Sequence, residues 1–67
     1  MGNRQTEIYE YIKYYLAEHS YSPTIREIAY AVGLTSTSTV HGHLDRLRRK
    51  GYIDFIDMRP RTIQIIR

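Results

Sequence analysis

Apolar positions along the chain fall first into three helical registers and then into two alternating ones. Ile8, Tyr11, Ile12, Tyr15 and Leu16 keep the i, i+3, i+4, i+7, i+8 spacing of a helix with one buried stripe, which predicts a first helix over residues 4–19. Asn3 is positioned to cap it, and Glu7 lies early, where the helix dipole favours a carboxylate. Tyr9 and Tyr14 fall off the stripe and read as half-buried flanks. Pro23 then disfavours the helical region for Ser22, so the segment from His19 breaks the helix and has room for a short strand. Thr24 and Glu27 have capping-box spacing, in which a hydroxyl and a carboxylate satisfy free N–H groups at a helix start. A second helix over residues 25–32 turns Ile28, Ala29 and Val32 inward, and Gly33 ends it as a residue able to take positive φ.

After a tight turn in which Leu34 plugs the gap between helices, Ser36 caps a third helix over residues 37–50. Val40, Leu44 and Leu47 share its buried stripe. The opposite stripe carries Ser38, Gly42, Asp45 and Arg49, with His41 beside it. Gly51 stops the helix. Residues 52–56 alternate with Ile53 and Phe55 on one face, and residues 62–66 with Ile63 and Ile65 on one face. Between them lies a turn-rich stretch, residues 57–61, with Arg59 and Arg61. Three helices plus a C-terminal β-hairpin is an α+β chain of winged helix-turn-helix architecture, expected to form one domain over residues 1–67.

Charge sharpens this picture. The net charge is +3, unevenly spread: residues 1–35 carry three basic and four acidic groups, and residues 36–67 seven basic and three acidic. The basic half holds the third helix, an arrangement that suits a polyanion. An α-helix fits the DNA major groove, and short polar side chains at its start reach base edges. There is no cysteine, which removes disulfides and thiolate metal sites. No apolar run approaches the roughly 20 residues of a membrane span, and no signal-peptide core is visible, so the expected location is cytoplasmic and away from the membrane.

Other chemistry finds little support. His41 and His43 point to different sides of a helix and have no third ligand at metal spacing, so no metal or other cofactor is expected. No serine has a base at nucleophile spacing and no carboxylate pair suits acid–base work, so no catalytic residue is assigned and the chain is not read as an enzyme. His43 flanks the core stripe as a structural residue, hydrogen-bonded near the first helix.

The segments SPTIREIAYAVGL, TSTSTVHGHL, LRRKGYI and RPRTIQI together resemble the DNA-binding domain of the LexA repressor family, in the version with a His-Gly-His segment. The likeness runs from Arg4 to Ile66. It implies a regulator of the bacterial SOS response that reads a palindrome of GAAC and GTTC half-sites as a dimer on double-stranded DNA. Carried to matching positions, the base contacts are Ser36, Ser38, Thr39, His41 and Gly42. The backbone contacts are Arg26, Thr37, Arg48, Arg49, Arg59 and Arg61. Asp45 departs from this pattern: it is an acid on the presumed DNA face, placed either to accept from a cytosine amino group or to repel phosphate. A second class of function also fits, in which Tyr9, Tyr14 and the hairpin edge contact another regulator.

Overall fold

A computed structural model of the chain describes residues 3–67. Three helices, α1 (Asn3–His19), α2 (Ile25–Val32) and α3 (Thr37–Arg49), precede two short strands, β1 (Ile53–Asp54) and β2 (Gln64–Ile65). Helix α1 packs on both α2 and α3, and β1 packs on α3. Ile8, Ile12, Ile28, Val40, Leu44 and Leu47 are fully buried where the three helices meet, and Ile53 and Ile63 seal the core from the hairpin side. Each such side chain contributes about 1.5–3 kcal/mol when removed from water. This is the winged helix-turn-helix that the hydrophobic spacing predicts.

The helix boundaries have local causes. Helix α1 begins at Asn3 itself, and the side chain expected to cap it lies outside the described residues. At α2 the capping box is complete: Glu27 N–H donates to Thr24 Oγ1 at 3.1 Å, and Thr24 N–H donates to Glu27 Oε1 at 2.8 Å. Gly33 ends α2 at φ 75°, and the Leu34 N–H reaches back to the Ala29 carbonyl at 2.9 Å. Glycine takes this left-handed conformation without the Cβ clash that other residues meet. Helix α3 starts on Ser36, whose hydroxyl accepts from Thr39 N–H at 3.4 Å. It closes the same way as α2, with Gly51 at φ 82° and Tyr52 N–H donating to the Leu47 carbonyl at 3.0 Å.

Three expectations need correction. Tyr9 is not a half-buried flank: it is 7% exposed, meets Tyr52 edge-on, and donates its hydroxyl hydrogen to the Arg67 carbonyl. Tyr14 is not half-buried either, but for the opposite reason: it is 61% exposed. The segment between α1 and α2 forms no strand. Instead, buried Ser22 accepts from Ile63 N–H at 3.0 Å and so ties this segment to the hairpin. The hairpin itself is shorter than two five-residue strands. Its antiparallel ladder pairs only Ile53 with Ile65 and Asp54 with Gln64. Beyond Asp54, side chains take over the backbone groups: Phe55 N–H goes to Asp54 Oδ1 and Ile56 N–H to Thr62 Oγ1. Met58 and Arg61 adopt positive φ of 66° and 58°, which bends the chain out of strand geometry.

Candidate nucleic-acid interface

Helix α3 shows two opposed faces. Behind are Val40, Leu44 and Leu47, each fully buried. In front, Thr37, Ser38 and Thr39 are exposed, while His41 and Gly42 are half-buried. Ser36 is committed by its cap to the backbone. A Cβ built on Gly42 would meet nothing closer than Arg46 Nη1 at 3.8 Å, an ordinary van der Waals contact. No neighbouring element therefore requires glycine there, and the small, open spot faces solvent.

The expected backbone-contact arginines divide into two groups. Arg26, Arg49 and Arg59 are exposed, and among the described residues their guanidinium groups make no hydrogen bond or ion pair within the chain. Arg26 sits in the first turn of α2, Arg49 at the end of α3 and Arg59 on the hairpin tip. The guanidinium groups of Arg48 and Arg61 instead have partners within the chain.

Arg61 folds back onto the helices. Its guanidinium donates to Tyr15 Oη at 3.2 Å, to the Ser22 carbonyl at 3.1 Å and to Glu27 Oε2 at 3.1 Å, and it lies over the Tyr21 ring at 4.9 Å. The Thr24 backbone N–H, and after it Arg61, hold the Glu27 carboxyl below the usual carboxylate range. These bonds fasten the hairpin to α1 and α2 and occupy the group that was expected to meet phosphate.

On the other flank, Arg48 Nη2 donates to Asp45 Oδ1 at 2.9 Å, and Nη1 donates to the Phe55 carbonyl at 3.3 Å. Nη1 also lies 3.4 Å from Asp57 Oδ1, and the guanidinium covers the Phe55 ring at 4.0 Å. Asp45 Oδ2 is 3.4 Å from His41 Nδ1, and the His41 ring meets Phe55 edge-on at 6.0 Å. The acid on the presumed DNA face therefore has two partners within its own chain. The Asp45/Arg48 pair is visible in the sequence as an i, i+3 spacing; Phe55 and Asp57 join it only through the fold.

His41, Asp45 and Asp57 offer ligand atoms within 4.8 Å of one another, with the Arg48 guanidinium as the cation already among them. The hydrogen bond expected of His43 is absent: its buried Nδ1 has no partner among the described residues. Burial, then the positive charges of Arg46 and Arg4, hold this imidazole below its ordinary pKa. Beside α3, Pro23, Ile25, Leu44, Phe55, Pro60 and Ile63 line an apolar cleft of about 250 Å³, smaller than the roughly 300–1,000 Å³ usual for small-molecule sites. Among the described residues no helix is long and apolar enough to cross a membrane.

The model of the LexA DNA binding domain matches residues 1–62. The chain is 56% identical to the LexA repressor of Staphylococcus haemolyticus over 66 residues, which is 98% of this chain and 32% of that protein. Over the same shares it is 57% identical to the LexA repressor of Staphylococcus carnosus and 56% identical to that of Staphylococcus aureus strain USA300. The chain thus spans about a third of the length of these relatives.

Proposed function

This chain belongs to the LexA DNA-binding domain family, and on that premise we propose that it is a sequence-specific double-stranded-DNA-binding module of a transcriptional repressor. Residues 1–67 act as one DNA-reading unit without catalytic chemistry of their own. In this reading α3 lies in the major groove, and two copies occupy the two halves of a palindromic operator in the bacterial cytoplasm, as a regulator of the SOS response.

The observation that carries the proposal is the front of α3. A rigid helix backed by three buried aliphatic residues presents exposed Ser38 and Thr39, the half-buried His41 ring and an open Gly42 over its first turns. These are short groups that can approach base edges. Ser36 and Thr37 sit at the helix start, where free N–H groups and the helix dipole favour a phosphate. Arg26, Arg49 and Arg59 are exposed cations free to neutralise the DNA backbone.

The test is a pair of substitution series read by binding titration. Replacing Ser38 or Thr39 by alanine should cost about 1–3 kcal/mol of affinity for the operator and leave binding to unrelated duplex unchanged. Replacing Arg49 or Arg59 by glutamine should weaken binding to every sequence alike and lower the salt slope by about one. Equal loss on both duplexes in the Ser38 and Thr39 variants would remove them from base reading.

A further inference from the structure

We infer that Arg48 is a positioning residue, which fixes the hairpin against the recognition helix through Asp45, Asp57 and Phe55 instead of binding phosphate. The inference rests on the DNA-binding reading above and assigns to Asp45 a role other than base recognition or repulsion.

The geometry carries it. One guanidinium spans two elements: Nη2 holds Asp45 on α3, and Nη1 reaches the Phe55 carbonyl and the Asp57 carboxylate on the hairpin. The planar group also stacks over the Phe55 ring at 4.0 Å. Only arginine combines a planar face for stacking with a fork of fixed donors. Arg48 and the two carboxylates together carry one net negative charge, so this spot offers phosphate no unbalanced cation. Exposed and unpaired Arg49, the next residue, presents the contrast.

The bracket has a consequence for the reading surface. Asp45 holds Arg48 with one oxygen, and its other oxygen lies 3.4 Å from His41 Nδ1. Phe55 is stacked by Arg48 and edged by His41. A single network thus sets both the angle of the hairpin and the orientation of the His41 ring. On the other flank, Arg61 fastens the hairpin to Ser22 and Glu27. The hairpin is held at both sides although its ladder is only two residues long.

Lysine separates positioning from phosphate binding, because it keeps the charge but cannot form the fork. Three variants, Arg48→Lys, Arg48→Gln and Asp57→Asn, are compared with the unaltered protein after thermal melts establish that each folds. In the free protein, amide hydrogen exchange at Phe55 and Ile56 should accelerate in all three. On operator DNA, Arg48→Lys and Arg48→Gln should lose affinity alike, about ten-fold, with the salt slope unchanged in both. A lysine variant that restores affinity, with a slope that falls by about one only in the glutamine variant, would overturn the inference in favour of a phosphate contact. Unchanged exchange at Phe55 and Ile56 in the folded variants would overturn it without any DNA. If the unaltered protein fails to prefer the operator, the DNA-binding reading falls, and the exchange measurement still decides whether Arg48 sets the hairpin.

Discussion

At the scale of single residues, the informative positions are those where stability and function pull apart. Gly42 lies inside α3, where glycine costs roughly 1 kcal/mol relative to alanine. The space around it accepts a Cβ, with only Arg46 Nη1 at 3.8 Å. Gly42→Ala should therefore raise folding stability by about that amount in a urea titration, yet weaken operator binding in a gel-shift series. Full affinity in the alanine variant would remove Gly42 from the interface. His43 gives a pH dependence. Its folded pKa lies below the ordinary 6.5, because burial and the nearby Arg46 and Arg4 oppose its charge. Above that ordinary value both states are neutral and His43 contributes no slope. Below it the unfolded chain takes up a proton that the folded chain resists, so stability falls as pH drops and levels off once the folded pKa is passed. Urea unfolding at stepped pH should show this loss, and His43→Leu should abolish that part of it. A slope unchanged by the substitution would mean that other groups cause the loss.

At the scale of elements, α2 and α3 follow from local chemistry, whereas the hairpin does not. The capping box at Thr24 and Glu27, the left-handed Gly33 and the Ser36 cap were all legible from residue type and spacing, because each acts within a few residues. Thr24→Ala should accordingly cost about 1 kcal/mol in a thermal or urea melt. Glu27 contributes above its ordinary range and loses that contribution as pH falls through its lowered folded pKa. The two arginine brackets were hidden, since they join residues far apart in sequence: Arg61 reaches back to Ser22 and Glu27, and Arg48 reaches forward to Asp57. For the same reason, Arg48 and Arg61 looked from the sequence like Arg49 and Arg59. Alternation overstated the strands because it registers side-chain faces and does not sense the Asp54 and Thr62 side chains that capture backbone N–H groups. Tyr9 was misjudged because the hairpin and the C-terminal Arg67 cover a flank of α1 that a helical wheel leaves open.

At the scale of the molecule, the fold turns an uneven chain into a surface with the polar face of α3 in front, exposed arginines beside it, and two arginines bonded between the helices and the hairpin. Such a module, as one half of a symmetric pair, has a footprint of roughly 600–1,000 Å², so two copies on a palindrome should hold far better than one. The central claim is that the front of α3 reads sequence, rather than serving as a generic cationic surface. The most direct measurement is fluorescence anisotropy at fixed, near-physiological salt. It would compare a palindromic duplex of GAAC and GTTC half-sites with a scrambled duplex of equal composition. The account predicts tight binding to the palindrome with two protomers per duplex, and weak, salt-sensitive binding to the scramble. Equal affinity for both, with the same salt slope, would contradict it.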